Sequence, residues 1–217
     1  MNNIKKKVPE STISRLCVYL RELAKLSEMN IKTVSSSELG EMANLSDAQV
    51  RKDLGYFGQF GVSGSGYAIN DLKEALEKIL GKDRTWNVAI VGVGHMGYAL
   101  LMYSGFRKYG LDVVAAFDTD VYKAGNKIGD VAIEPLEALP EAARKKNISL
   151  AIITVPADQA QRVADILVES GIECILNFAP MSLHVPENVK VKNVDLSREL
   201  ETLSYFLVNK ESPKEDK

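Results

Sequence analysis

The chain has 217 residues, 46% of them hydrophobic and 26% charged, with a formal net charge of −2. That is enough chain for two modest domains with their own cores, and its apolar runs are strand-sized, which excludes a membrane-spanning helix. The first 86 residues carry 13 Lys and Arg against 11 Asp and Glu, and the remainder 14 against 18, a balance compatible with a nucleic-acid-binding front half that does not establish one. The opening MNNIKKKVPES has no apolar stretch before Pro9 and does not read as a secretory signal. Cys17 and Cys174 show neither CxxC nor metal spacing and lie in apolar patterns, so buried thiols in a reducing compartment, the cytoplasm, are expected.

In chain order, Ile13, Leu16, Cys17, Leu20, Leu23 and Leu26 recur at helical spacing and predict an amphipathic first helix from Ser11. Two capping-box patterns follow, Ser35 with Glu38 and Ser46 with Gln49, separated by a turn short enough for a helix-turn-helix. On the helix from Asp47 to about Phe57, Val50, Leu54 and Phe57 face the core. Ala48, Gln49, Lys52, Gly55 and Tyr56 form the opposite side, with Arg51 on the flank. Such a slim polar face either enters a major groove, with Gln49 reading base edges and Arg51, Lys52 and Tyr56 reaching bases or phosphates, or is a solvated surface. The tight turn before it and the glycine-rich GQFGVSGSGYAI after it, which resembles a wing, favour the groove. Leu72, Ala75, Leu76, Ile79 and Leu80 predict another helix, started by Asn70 and ended by Gly81, and the polar GKDRT marks a domain boundary near residues 82–86.

Strands and helices then alternate. Val88–Val91, Val113–Phe117, Val131–Ile133, ISLAIITV, IECILNF and VKVKNVD read as strands. Met96–Tyr109, a stretch from Pro135, Ala157–Ser170 and Leu196–Val208 read as helices. Continuous apolar strands in this alternation predict a parallel sheet covered on both faces. Gly92, Gly94 and Gly97 give G-x-G-x-x-G between the first strand and its helix, and Asp118 closes the second strand 21 residues later. That is a dinucleotide fingerprint: glycines for the turn, the pyrophosphate and helix packing, and a carboxylate for the ribose 2′-OH that favours NAD(H) over its 2′-phosphorylated form. The segment Gly92, Val93, Gly94, His95, Met96 and Gly97 is therefore the phosphate cradle. Thr154, Val155 and Pro156, and Asn177, Phe178, Ala179 and Pro180, end strands on the ligand side, where they either shield a nicotinamide or simply turn the chain.

Catalytic machinery does not emerge. Neither His95 nor His184 is placed as an acid or base, and no metal cluster, paired carboxylates or nucleophile triad is present; nothing supports catalysis by Tyr103 or Asp158. The cofactor site reads as a sensor. A small NAD-dependent oxidoreductase and a CoA- or other nucleotide-binding regulator are the alternatives.

The stretches KVPESTISRLCVYLREL, SSSELGEMANLSDAQVRKDLGYFGQFG, VGVGHMGYAL, AIITVPADQAQRVADILVESGI, ILNFAP and NVDLSREL together resemble the Rex family of redox-sensing transcriptional repressors, from about Val8 to Val208. The resemblance implies a winged-helix (helix-turn-helix) domain over residues 1–85, a Rossmann NAD(H)-binding domain over 86–195, a dimerisation helix exchanged between subunits over 196–208, and a disordered tail over 209–217. It implies a homodimer on palindromic double-stranded operator DNA, released by NADH, with no membrane or metal partner. Tyr103 and Asp195 look like a hydrogen-bonded pair between subunits in one state, with Arg21 the alternative partner of that aspartate; Tyr103 is also counted at the cofactor site. Leu196 stands where some relatives place Phe against the nicotinamide. The wing lacks the Arg or Lys of many relatives, so Lys5, Lys6, Lys7 or Arg15 is expected to supply phosphate contact, with Ser46, Ala48, Ser63 and Ser65 completing the DNA-facing set. Leu196, Leu200, Leu203 and Leu207 recur at helical spacing, which suits either a cover for the chain's own sheet or burial against a partner.

Overall fold

A computed structural model describes residues 8–62 and 65–209. Lys5, Lys6, Lys7, Ser63 and the tail beyond Asn209 lie outside the described residues. The chain divides into two compact units, Met1–Arg84 and Thr85–Lys217.

In the first unit, α1 (Glu10–Glu28) buries Leu16, Tyr19, Leu20, Leu23 and Leu26, while Ile13 and Cys17 stay half-buried. The short β1 (Thr33–Val34) leads to α2 (Ser36–Met42), where the Ser35–Glu38 capping box is complete in both directions. The turn into α3 (Asp47–Leu54) is tight because Asn44 adopts a left-handed φ of 58° and Gly40 lets the Leu45 carbonyl approach to where a Cβ would meet it at 2.7 Å. Ser46 caps α3 through the Gln49 N–H, but the Gln49 side chain does not return to close the second box. The helix also stops at Leu54, short of the expected Phe57. Strands β2 (Gly61–Val62) and β3 (Gly66–Ala68) form the wing, joined by β1 in the order β1-β3-β2. Helix α4 (Ile69–Ile79) starts from Ala68 rather than Asn70 and ends at Gly81, whose φ of 66° closes the last turn.

The second unit is a seven-stranded sheet. Strand β4 (Trp86–Val91) feeds α5 (His95–Met102), which breaks at Tyr103 instead of running on to Tyr109; a 3₁₀ turn over Ser104–Tyr109 follows. Then come β5 (Leu111–Asp118), the edge pair β6 (Lys127–Ile128) and β7 (Val131–Pro135), α6 (Leu139–Lys145) and β8 (Ile148–Ile153). Helix α7 (Ala157–Glu169), β9 (Cys174–Asn177), β10 (Lys190–Asn193) and α8 (Leu196–Val208) complete the chain. The order is β10-β9-β8-β4-β5-β7-β6, parallel except for β6. Ala89, Val91, Phe117, Ile153, Leu167 and Ile175 pack in its larger core. Connections leave β4 toward β5 on one side and return to β8 on the other, so a crevice opens between β4 and β8 at their carboxyl ends. Cys17 and Cys174 are free and only half-buried, less enclosed than expected. No helix among the described residues is long and apolar enough to cross a membrane.

Candidate functional site

The β4–β8 crevice holds the glycine turn, and each glycine has its own reason. Gly92 has φ 95°, and a Cβ there would meet Val155 Cγ1 at 2.7 Å. Gly97 brings α5 against the turn so closely that a Cβ would collide with the Gly92 carbonyl. Gly94 faces open space, with nothing within 4 Å of an added Cβ, and it caps α5, whose first N–H groups point out of the helix. That is the room and the polarity a pyrophosphate needs.

Asp118, at the end of β5, accepts from Val93 N–H at 2.7 Å, Asp120 N–H at 2.9 Å and Lys123 Nζ at 3.0 Å. Burial pushes its carboxyl up, but these donors outweigh burial and hold it below the ordinary carboxylate range. Oδ1 accepts only the Asp120 N–H among these, which leaves it room for a ribose hydroxyl. The cleft of about 260 Å³ is lined by Asp118, Thr119, Lys123, Thr154, Val155 and Pro156, with Gln159 and Arg162 of α7 at its edge. Thr154 ties β8 to the turn by donating to the Gly92 carbonyl at 2.6 Å. The residues fit the adenosine and pyrophosphate of a dinucleotide. Sequence reasoning missed Lys123, Gln159 and Arg162. Lys123, five residues past Asp118 in DTDVYKAG, was the readable signal.

The β9 end is different. Asn177 is fully buried, and its amide is consumed by its own loop. Nδ2 donates to the Ala179 and Met181 carbonyls and to Asn193 Oδ1, and Oδ1 accepts from Ala179 N–H. It staples the turn, so its side chain is engaged within the protein. Phe178 packs toward the sheet with Val88 and Ile90, Ala179 is buried, and Pro180 is exposed. None of these four lines the Asp118 cleft. His95 and Met96 are exposed on the first turn of α5, and Val93 is buried beneath it.

On α3, Ser46, Ala48, Arg51 and Lys52 are exposed, as is Ser65 in the wing, while Tyr56 is half-buried beyond the helix end. Arg51 Nη1 donates to Asp47 Oδ2 at 2.7 Å and Ser36 Oγ at 2.9 Å, so part of its charge is already met. Two residues expected at DNA already hold a partner in the chain. Arg15 grips Asp53 in a two-pronged ion pair of 2.6 and 2.7 Å, and Gln49 Nε2 donates to the same carboxylate at 2.8 Å. Neither is a freely mobile surface group. Asp53 itself, fully buried, went unnoticed in the sequence.

Each switch residue has its own surroundings. Asp195 caps α8 by accepting from Arg198 N–H, and the Tyr103 ring lies edge-on to Phe106 at 5.0 Å, packed over Gly105. Arg21 is exposed on α1. Helix α8 buries no residue: Leu196, Leu200, Leu203, Phe206 and Leu207 are each more than half exposed. Its apolar stripe is therefore exposed, and among the described residues it does not cover the sheet. Among the described residues no group of three or more His, Cys, Asp or Glu could hold a metal.

Known proteins match both units. A family described as the N-terminus of putative DNA-binding proteins matches residues 7–55, and a CoA-binding-domain family matches 83–181. A redox-sensing transcriptional repressor Rex of Pelotomaculum thermopropionicum is 48% identical, covering 95% of this chain and 97% of its own. That of Syntrophomonas wolfei is 49% identical, covering 93% and 96%. Among solved structures, the Rex-family repressor RSP with β-NAD+ and operator DNA aligns with a TM-score of 0.90 at 39% identity, over 95% of each chain. RSP with β-NADH aligns at 0.83 and 38%, over 94% of this chain and 96% of the other. With a helix-turn-helix and a dinucleotide crevice matched from end to end by such relatives, the chain belongs to the Rex family of redox-sensing transcriptional repressors.

Proposed function

We propose that this protein is a homodimeric repressor that binds operator DNA through α3 and its wing and releases it when NADH occupies the β4–β8 crevice. The observation that carries the reading is the crevice: three glycines with separate steric reasons, opposite Thr154 and beside Asp118, in a chain that also holds a helix-turn-helix. It is a regulator and not an enzyme, as its relatives' names support. Its place is the cytoplasm, where operator DNA and NADH are both within reach.

Gly92 to Gly97 hold the pyrophosphate and Asp118 the adenosine ribose; Lys123 moderates the carboxylate's charge. NAD+ and NADH share these groups, so discrimination lies at the nicotinamide, where an apolar lining from Val155, Pro156 and Leu196 costs a cationic ring more than a neutral one. Release of DNA requires NADH to favour the DNA-incompetent state, because a ligand shifts an equilibrium only by its differential affinity for the two states. The exchange of Asp195 between Tyr103 and Arg21 is the element that ligand would bias. Exposed Ala48, Arg51 and Lys52 face the groove, and two copies related by the α8 interface meet the two half-sites of a palindrome.

Isothermal titration with NADH, its 2′-phosphorylated form and coenzyme A tests the cleft. One NADH per chain is expected, with the two ribose-phosphorylated ligands weaker because Asp118 repels the added phosphate. Coenzyme A binding tighter than NADH would return the crevice to the other ligand its fold family suggests.

A further inference from the structure

The Asp53 carboxylate is fully buried and accepts five hydrogen bonds. Four come from α1, where Thr12, Arg15 and Tyr19 stand at i, i+3 and i+7 on one face: Thr12 Oγ1 at 3.2 Å, Arg15 Nε at 2.6 Å, Arg15 Nη2 at 2.7 Å and Tyr19 OH at 2.9 Å. The fifth comes from one turn earlier on α3 itself, Gln49 Nε2 at 2.8 Å. A carboxylate that pairs with arginine is ionised and only accepts. An amide end held against it must therefore be the NH₂ end, and the orientation follows from chemistry rather than from a choice between similar atoms. The Gln49 carbonyl, which the carboxylate repels, and the second N–H beside it are left for whatever α3 faces.

We infer that Asp53 is the positioning residue of α3: it fixes the orientation of the Gln49 amide so that the side chain meets DNA with its carbonyl and its second N–H side by side. A glutamine free to rotate can grip adenine with both ends, donating to N7 and accepting from N6. Gln49 does so from a fixed orientation: one of its two N–H groups is committed to Asp53, and the other stays beside its carbonyl. That fixed pair of one acceptor and one donor matches adenine, whose N6 donates and N7 accepts in the major groove, and no other base presents such a pair there. Arg15, Thr12 and Tyr19 hold the carboxylate in place, so the far side of the domain sets how a base is read.

This rests on the reading of α3 as the DNA-facing helix. Selection of bound sites from a randomised duplex library by the full-length protein separates the two. Wild type should select a symmetric site containing, in each half, a position restricted to A on one strand. Gln49→Ala should lose that preference by about tenfold and keep the others. Asp53→Asn should lose the same position, because an asparagine can offer either end to Gln49, and the double variant should lose no more than either single one. Tyr19→Phe, which removes a donor from α1 but leaves the Gln49 bond, should keep the preference. If Asp53→Asn does not fold, Arg15→Met with Asp53→Asn, which removes the stranded cation, carries the same expectation.

A preference for a base other than A at the Gln49 position, or an Asp53→Asn protein that binds more weakly with every base preference intact, overturns the inference while leaving α3 as the reader. Wild type that selects no site overturns the DNA-facing reading, and the inference with it.

Discussion

At the scale of single residues, two aspartates have depressed pKa values for different reasons. Burial pushes the Asp53 carboxyl up, but the Arg15 pair and the Tyr19 and Gln49 donors outweigh it. A group whose folded pKa lies below its unfolded value, about 3.9 for Asp, contributes stability above that value and loses it as pH falls through the folded one. Thermal melts between pH 5 and about pH 2 should therefore show the N-terminal unit losing stability on acidification. The loss should be smaller in Asp53→Asn, and equal slopes in both would contradict the account. At neutral pH, Asp53→Ala strands the Arg15 cation and should destabilise the unit by about 3 kcal/mol in a denaturant titration. In the crevice, Asp118→Ala removes a charged acceptor and should weaken NADH binding by about ten- to a hundredfold with the fold intact, read by calorimetry. The three glycines and Asp118 were legible because their spacing is a backbone requirement written locally. Asp53 was not, because its partners Thr12, Arg15 and Tyr19 lie 34 to 41 positions away and an aspartate inside RKDL reads as surface charge. Gln49 was legible as a member of the polar face, but its polarity depends on that distant contact.

Among elements, the long apolar strands and amphipathic helices were readable from their periods. Strands β1 and β6, two residues each, carry no period and exist only because β3 and β7 offer them an edge. The break between α5 and the 3₁₀ turn was hidden because ALLMYSGF stays apolar through it. It occurs where Tyr103 leaves helical geometry (ψ 103°) and lays its ring over Gly105. Gly105→Ala should displace that ring. If Tyr103 takes part in the switch, the variant should shift the NADH concentration that releases DNA while cofactor affinity in the absence of DNA changes less. Helix α8 makes the plainest demand on a partner, since its leucine stripe has no cover among the described residues. Leu203→Glu places a charge in that stripe and should convert dimers to monomers in sedimentation at micromolar concentration. A dimer that survives it would remove α8 from the interface.

For the whole molecule, two units of different kinds share one chain, and regulation is the coupling between what each binds. Linkage makes that coupling reciprocal: if NADH weakens DNA binding by some factor, DNA weakens NADH binding by the same factor. Fluorescence anisotropy of a labelled operator duplex at fixed salt measures it most directly, because phosphate-dominated affinity has meaning only at a stated ionic strength. Saturating NADH should lower the affinity for the operator at least tenfold, and NAD+ at the same occupancy should leave it nearly unchanged. Specific binding that responds to neither cofactor, or to both alike, would contradict a redox sensor.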